Sequence, residues 1–260
     1  NQASIVAMSG SIMPTPLALP VTVAFPLRAE AALGRVSIVI IAALFRVRGP
    51  GIYDWAARAW ARWILWASGT PVTCEGLEHI RADRPQVFVA NHVSWYDVYA
   101  LGKVIPKRYR FVAKKELARI PIFGTAWKAA GHVSVDRSNR ASAIQSLEAA
   151  GKLLHRDNSS VVIFPEGTRS PTGELLPFKK GAFMLALHTG VDIVPVAVLG
   201  TRRIQPKGGW RIRSGKIIVR FGEPVETRRF TEETRDELIA EVRNRIADML
   251  ENSPAANSDA

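Results

Sequence analysis

The chain has 260 residues, of which 47% are hydrophobic, and its formal net charge is +12. This length and apolar fraction suffice for one large α/β domain, with or without an appendage, and exclude a generally disordered chain. The charge indicates a polyanionic partner, such as an anionic membrane, a phosphorylated substrate or nucleic acid, although an inert basic surface is the alternative. The single cysteine, Cys74, excludes an internal disulfide and a cysteine-based zinc site, and the five histidines lack zinc-ligand spacing.

Residues 1–69 differ in composition from the rest of the chain. An apolar run at 36–45 is shorter than the roughly 20 residues that a membrane-spanning helix needs. The stretch 53–67 holds four of the seven tryptophans, together with two arginines. Tryptophan prefers the membrane interface, because its ring is apolar while its N–H group needs a partner. We therefore expect a two-helix membrane-docking appendage in this segment; a helix pair packed on the domain core is the alternative.

From residue 70 to residue 251, short β-like runs alternate with helical stretches. This alternation predicts one α/β domain with a single mixed, largely parallel sheet that is flanked by helices. Seven strands are predicted, at 72–75, 86–90, 110–113, 132–135, 160–164, 193–199 and 216–221. Helices are predicted at 140–154, 183–188 and 231–250.

The closing helix, 231–250, is amphipathic. We expect a capping box at its start, formed by Thr234 and Glu237. Its buried stripe is predicted to consist of Leu238, Val242, Ile246 and Met249. Residues 252–260 are expected to form a flexible tail.

The first candidate site follows the strand that ends at Ala90, where the chain reads NHVSWYD at 91–97. Active sites of open α/β sheets form beyond the carboxyl ends of strands. His92 and Asp97 can touch only if His92 precedes a helix and Asp97 lies in its first turns. A carboxylate on one imidazole nitrogen makes the other nitrogen a better base. Because the chain has no GxSxG nucleophile elbow, we expect His92 to deprotonate a substrate hydroxyl; a structural turn histidine is the alternative.

The second candidate site is the stretch FPEGTRS at 164–170, which again follows an apolar strand. Gly167 allows a ligand to approach the backbone, and Thr168 and Arg169 offer donors that suit phosphate oxygens. Lys179 follows shortly after and adds positive charge. The pattern predicts a phosphate site; an ordinary basic loop is the alternative.

Four blocks carry a resemblance to a known family. They are NHVSWYD at 91–97, KKELARIPIFG at 114–124, FPEGTRS at 164–170 with LPFKKG at 176–181, and IVPV at 193–196. A lone H-x4-D pair is frequent by chance, but four blocks in a fixed order are specific. The chain resembles the lysophosphatidate (1-acyl-sn-glycerol-3-phosphate) acyltransferase family of the glycerolipid acyltransferase superfamily.

The resemblance implies a role for each matching residue. His92 would be the general base on the acceptor hydroxyl, and Asp97 would orient it. Arg169 would bind the acceptor phosphate. The further substrate-binding residues would be Glu166, Gly167, Thr168, Lys115, Arg137 and Lys179. Pro121 and Gly124 would shape the acyl pocket.

The resemblance also implies the reaction and its partners. An acyl chain would pass from acyl-CoA or acyl-carrier protein to the sn-2 hydroxyl of 1-acylglycerol-3-phosphate, giving phosphatidate, without a metal or other cofactor. The hydroxyl would attack the thioester directly, while a backbone N–H or a cation stabilises the oxyanion. The family carries an N-terminal two-helix motif that dips into the membrane. The implied location is the cytoplasmic face of the cell membrane, peripheral or monotopic.

Two alternatives remain open. A sister acyltransferase acting on another lysolipid, such as lyso-ornithine lipid, would share much of this pattern, although Arg169 favours an acceptor that bears a phosphate. A non-enzymatic binder of anionic membrane or nucleic acid would also account for the charge. We expect no nucleic-acid partner, because the chain has no helix-turn-helix, RNP or Cys/His finger spacing.

Overall fold

The computed structural model describes residues 50–120, 123–136, 146, 148–152, 154 and 158–252. Several predictions lie outside these residues. They concern the segment 1–49 with its apolar run, the substrate-site roles of Pro121 and Arg137, and the tail beyond residue 252.

Seven strands of the described chain form one sheet. They are β1 (Val72–Glu75), β2 (Val87–Ala90), β3 (Tyr109–Lys114), β4 (Val133–Val135), β5 (Ser160–Ile163), β6 (Ile193–Leu199) and β7 (Ile217–Phe221). The order across the sheet is β1-β7-β6-β2-β5-β3-β4. Every neighbouring pair is parallel except β6 and β7. The prediction of a single, largely parallel mixed sheet is confirmed, and so are all seven predicted strands.

The helices of the described residues are α1 (Pro50–Ala67), α2 (Trp95–Val104), α3 (Phe123–Ala129), α4 (Gly181–Thr189), α5 (Thr201–Ile204) and α6 (Arg235–Glu251). Short 3-10 helices lie at Leu77–His79, Lys115–Arg119 and Thr227–Arg229. Residues 146, 148–152 and 154, within the predicted helix 140–154, are also helical.

Helices cover both faces of the sheet, which explains why its central strands are apolar along their whole length. All residues of β2, β5 and β6 are buried. Side chains alternate between the two faces of a strand, so Phe88 of β2 packs with α1 and α2, while Val89 packs with α4 and α6. The sheet thus separates two hydrophobic cores.

The start of α6 differs from the prediction. Leu238, Val242 and Ile246 are buried as expected, and Met249 is half-buried. The predicted capping box is wrong, because Thr234 is the N-cap residue but its side chain makes no cap hydrogen bond. The Thr234 hydroxyl instead accepts the backbone N–H of Thr231 at 2.9 Å.

One face of α1 packs on the sheet domain. The Arg58 guanidinium donates to the carbonyls of Ile105 and Lys107, both at 2.5 Å, and Leu65 belongs to the core. The sheet domain therefore includes α1 and begins before residue 70, the position at which its start was predicted. The alternative of a helix packed on the core thus describes this face of α1.

The other face of α1 is exposed to solvent. Trp55 is 56% exposed and Trp66 is 55% exposed. Contact of this face with a membrane stays a prediction. Among the described helices, none combines the length and the apolar character needed to cross a membrane.

Candidate active site

Three parallel neighbours, β5, β2 and β6, end at the same edge of the sheet. Each is followed at once by polar residues: the turn 91–94 after β2, the loop 164–170 after β5, and α5 after β6. Strand pairing therefore brings together segments that are far apart along the chain. The candidate site lies at this edge.

His92 and Asp97 are in contact. The His92 Nδ1 atom lies 2.8 Å from Asp97 Oδ2. His92 precedes α2 and Asp97 is the third residue of that helix, as the five-residue spacing required. The predicted contact is confirmed.

The Asp97 carboxylate is fully buried and accepts four hydrogen bonds. Besides His92, the donors to Oδ2 are the backbone N–H groups of Val93 at 2.7 Å and Ser94 at 2.9 Å. The Thr201 hydroxyl donates to Oδ1 at 2.5 Å. The N–H and O–H donors around Asp97 show that its carboxylate is an acceptor. In the hydrogen bond between His92 and Asp97, the proton therefore lies on Nδ1 of His92. The lone pair of the neutral imidazole is then on Nε2.

The same carboxylate belongs to a capping box at the start of α2. Ser94 is the N-cap, and its hydroxyl accepts from the backbone N–H of Tyr96 at 3.2 Å. One aspartate thus fixes both the first turn of the helix and the orientation of the imidazole.

The main chain of His92 is held by the loop 164–170. Its N–H donates to Glu166 Oε1 at 2.8 Å, and its carbonyl accepts from the N–H of Ser170 at 2.7 Å. The imidazole stacks on the Phe164 ring at a centroid distance of 4.0 Å and an interplanar angle of 17°. The imidazole of His92 is therefore held by its own turn and by the loop 164–170.

Glu166 faces the protein interior. It is 3% exposed, and its second carboxylate oxygen accepts the N–H of Leu176 at 3.1 Å. Burial raises the pKa of this carboxyl, while the N–H donors of His92 and Leu176 act in the opposite direction. Both oxygens accept backbone N–H groups, and Glu166 is not among the residues that line the pocket described below. In this structure Glu166 holds the backbone of His92, and its contact with the substrate stays a prediction.

An apolar pocket of about 270 Å³ opens beside His92. Much of its wall is apolar or aromatic and comes from Trp60, Val98, Tyr99, Phe111, Leu117 and Trp127. The polar side chains in its lining are those of His92, Lys114, Thr168 and Arg169. An apolar cavity with a few convergent polar groups suits a molecule with a hydrocarbon chain and a charged head.

Several basic side chains lie in or next to the loop 164–170, near this pocket. The Arg169 guanidinium lies over the Trp95 ring, 5.2 Å from its centroid, and the Lys207 Nζ atom donates to the Thr168 hydroxyl at 3.3 Å. Gly167 has φ of +74°, and a Cβ there would lie 3.0 Å from the Lys179 ammonium nitrogen. Only glycine suits both the backbone conformation and the close approach of Lys179.

Two other predicted site residues lie elsewhere. Lys115 forms an ion pair with Asp136 and is not part of the pocket lining. Gly124 is not among the residues that line the pocket either. A Cβ at this position would lie 2.2 Å from the carbonyl oxygen of Ala118, so Gly124 allows α3 to pack closely against the preceding 3-10 helix. Its role in shaping the acyl pocket stays a prediction.

Comparison with known proteins gives the family. Residues 71–199 match the family model described as Acyltransferase. The chain is 32% identical over 175 residues to the 1-acyl-sn-glycerol-3-phosphate acyltransferase of Haemophilus influenzae, covering 66% of this chain and 72% of that protein. The chain belongs to the 1-acyl-sn-glycerol-3-phosphate acyltransferase family.

Two further members show the extent of the likeness. The Cocos nucifera 1-acyl-sn-glycerol-3-phosphate acyltransferase is 35% identical over 208 residues, which cover 80% of this chain. The chain spans 66% of that relative's length, slightly less than two thirds. The crystal structure of the 1-acyl-sn-glycerophosphate acyltransferase PlsC from Thermotoga maritima superposes with a TM-score of 0.71 at 28% identity, covering 90% of this chain and 96% of that one.

The structure also adds site residues that the sequence analysis missed. Thr201 follows β6 as His92 follows β2, so the rule that sites form beyond strand ends could have found it. Lys114 is the last residue of β3, so the same rule could have predicted it as a site residue. Trp60 was assigned to a membrane surface with its neighbours, but it lines the pocket and contacts Tyr99 at a centroid distance of 5.2 Å.

Proposed function

We propose that this protein transfers a fatty acyl chain from acyl-CoA or acyl-carrier protein to the sn-2 hydroxyl of 1-acylglycerol-3-phosphate, giving phosphatidate. The observation that carries the proposal is the His92–Asp97 pair at the apolar pocket. Because Asp97 occupies Nδ1, the Nε2 atom of His92 is the nitrogen that remains for a substrate. The family membership gives the substrate class.

The proposed reaction has four steps. The substrate hydroxyl gives its proton to Nε2 of His92, and its oxygen attacks the thioester carbonyl carbon. The resulting tetrahedral oxyanion is stabilised by a cation of the pocket lining, for which Lys114 is the candidate. The carbon–sulfur bond then breaks, and the thiolate takes the proton from Nε2. His92 is neutral again, and no covalent enzyme intermediate forms.

The acceptor phosphate is assigned to the loop 164–170 and its cations. Arg169 offers a planar pair of donors that matches phosphate oxygens. Thr168, Lys179 and Lys207 contribute a hydroxyl and two ammonium groups next to it. A zwitterionic lyso-ornithine lipid would leave these cations without an equivalent anion, so the cluster favours the phosphorylated acceptor.

We place the protein at the cytoplasmic face of a membrane as a peripheral or monotopic enzyme. Support comes from the exposed tryptophans of α1, Trp55 and Trp66, and from the net charge of +12. Tryptophan and basic residues together favour the interface of an anionic bilayer.

The decisive experiment follows thiol release from oleoyl-CoA by the purified protein in detergent, with and without lysophosphatidate, while phosphatidate is detected by mass. We expect release that depends on the acceptor. The variant His92→Ala should lower the rate by about 10²- to 10⁴-fold, because it removes the general base. His188→Ala is the matched control, since His188 is exposed on α4 and pairs with Glu232.

The other outcomes separate the alternatives. Release without an acceptor would indicate a thioesterase and contradict direct transfer. Acceptor-dependent release with lyso-ornithine lipid, and not with lysophosphatidate, would assign the protein to a sister activity. A His92→Ala variant with normal turnover would remove His92 from the mechanism.

A further inference from the structure

Residues 200–216 form a strongly basic connection between β6 and β7. This stretch of 17 residues contains six of the chain's 35 Lys and Arg residues and none of its 23 Asp and Glu residues. The cations are Arg202, Arg203, Lys207, Arg211, Arg213 and Lys216. Such a density of one sign attracts an anionic surface.

Two large apolar side chains project from the same stretch into solvent. Trp210 is 81% exposed, more than any other large hydrophobic residue of the described chain, and Ile212 is 56% exposed. The Trp210 ring is accompanied by the Arg211 guanidinium, 5.1 Å from its centroid. Exposed Trp and Ile between arginines are typical of a segment whose apolar groups enter a lipid headgroup region while its cations meet lipid phosphates.

The connection is folded and presents these side chains at a defined place. The N–H of Arg213 donates to the Ile204 carbonyl at 3.0 Å, which joins the two arms of the loop. The N–H of Gly209 donates to the Pro206 carbonyl at 3.0 Å, and the Gln205 side chain donates to the Gly209 carbonyl at 3.3 Å.

The connection also borders the candidate active site. The Ser94 hydroxyl donates to the Gln205 carbonyl at 2.7 Å, and Lys207 reaches Thr168. A lipid surface in contact with Trp210 would therefore lie near Thr168, which lines the apolar pocket.

We propose that residues 202–213 are a second membrane-docking surface, specific for anionic lipid, with Trp210 and Ile212 inserted among the headgroups. The proposal goes beyond the acyl transfer, and it concerns a different part of the chain from the N-terminal segment. The combination of one Trp with a neighbouring Ile favours lipid over single-stranded nucleic acid, which would need a run of aromatic rings for successive bases.

The test places an environment-sensitive fluorophore at the loop tip of the full chain. The label is attached to W210C in a Cys74→Ala background, which removes the only native cysteine. Vesicles of phosphatidylcholine mixed with phosphatidylglycerol should shift the emission to the blue, and salt should weaken the effect. Vesicles of phosphatidylcholine alone should give a much smaller shift. The same label on R228C is the control, because Arg228 is exposed next to Thr227, which contacts Val191 at the opposite edge of the sheet.

A second measurement uses vesicle sedimentation and unlabelled protein. The double variant R211E/R213E should lower the affinity for anionic vesicles by about 25-fold or more, since each basic residue near such a surface contributes about a factor of five. The control R228E/R229E makes the same change of charge at the opposite edge and should have a small effect.

The outcomes distinguish this proposal from the proposed function. Absence of a blue shift at position 210 while the protein sediments with anionic vesicles would overturn the docking surface, and so would absence of any vesicle binding. A shift produced by CoA or by an oligonucleotide, and not by vesicles, would reassign the loop to that ligand. Acyl transfer is measured separately in detergent, so a labelled loop that inserts in a protein without activity would refute the reaction and retain the docking surface.

Discussion

The four hydrogen bonds to Asp97 make this buried side chain a sensitive point of the candidate site. In Asp97→Asn an amide replaces one acceptor oxygen, and His92 no longer has a carboxylate to hold its tautomer. We expect kcat to fall by about 10³- to 10⁴-fold with a small change in KM, as when a buried aspartate next to a catalytic histidine is lost. Steady-state kinetics at saturating acceptor measure the effect.

Thr201→Val supplies the control for Asp97. It removes the 2.5 Å hydrogen bond to Oδ1 and leaves the His92 contact in place. A loss of about 10- to 150-fold is expected, smaller than in Asp97→Asn, because a hydrogen bond to a charged group contributes about 1.5–3 kcal/mol. Equal losses in the two variants would show that Asp97 acts only as a structural residue.

Arg169 should affect acceptor binding more than turnover. Arg169→Ala would remove the proposed charge-assisted contact to the phosphate, and we expect the KM for lysophosphatidate to rise by about 10- to 100-fold. The KM for the acyl donor should change little. Arg228→Ala, which removes an equally charged but distant side chain, controls for the general electrostatic field. An unchanged KM would place the phosphate elsewhere.

For single residues, the sequence predicted which side chains belong to the site better than it predicted where each side chain points. His92 and Asp97 were predictable because strand-end placement and spacing leave one arrangement in which they touch. Glu166 follows a strand in the same way, but its carboxylate turns toward the backbone of His92 and Leu176. That direction depends on N–H groups supplied by distant parts of the chain, which a linear pattern does not contain.

At the scale of secondary-structure elements, Gly124 is the position where α3 meets the preceding 3-10 helix. Gly124→Ala forces a methyl group toward the Ala118 carbonyl oxygen, 2.2 Å from the ideal Cβ position. We expect the free energy of unfolding to fall by about 1–3 kcal/mol, the usual cost of overpacking. Denaturant titration measures it.

Gly51→Ala is the matched control for Gly124. Gly51 lies in the first turn of α1, and a Cβ there would meet nothing within 4 Å. Stability should be unchanged or slightly increased, because alanine is the better helix former. A Gly124→Ala variant as stable as the native chain would show that α3 shifts without cost.

The elements differ in how far the sequence predicted them. Strands buried on both faces are continuous apolar runs, so their positions were predictable to within one residue. Which face of α1 packs on the domain was not predictable, because tryptophans occur both at membrane interfaces and in domain cores. Trp60 lines the pocket whereas Trp66 is exposed, and only the packing of α1 on α2 decides between them.

At the scale of the whole molecule, the half-buried side chain of His132 makes stability depend on pH. His132 Nδ1 accepts the N–H of Phe111 at 3.1 Å, so the bond needs a neutral imidazole. Burial, with a smaller contribution from Arg110, lowers the pKa of His132 to about 3. In the unfolded chain the pKa is about 6.5.

The sign follows from proton binding. Below a pH of about 6.5 the unfolded chain takes up a proton that the folded chain refuses, so stability is present above this pH and is lost as the pH falls toward 3. We expect a contribution of up to about 1.4 kcal/mol per pH unit. Unfolding titrations between pH 7 and pH 4.5 should show a smaller slope in His132→Gln, which keeps an acceptor. Equal slopes in the native chain and His132→Gln would contradict the assignment.

The loop 164–170 forms two hydrogen bonds with the backbone of His92. These bonds restrict how the acceptor specificity of such a protein can be changed. A chimera that imports this loop from a relative with another acceptor also imports the carboxylate and the amide that hold the base. Acceptor choice and base geometry are therefore inherited together. Segments 91–97 and 164–176 form one unit of exchange, although 66 residues separate them along the chain.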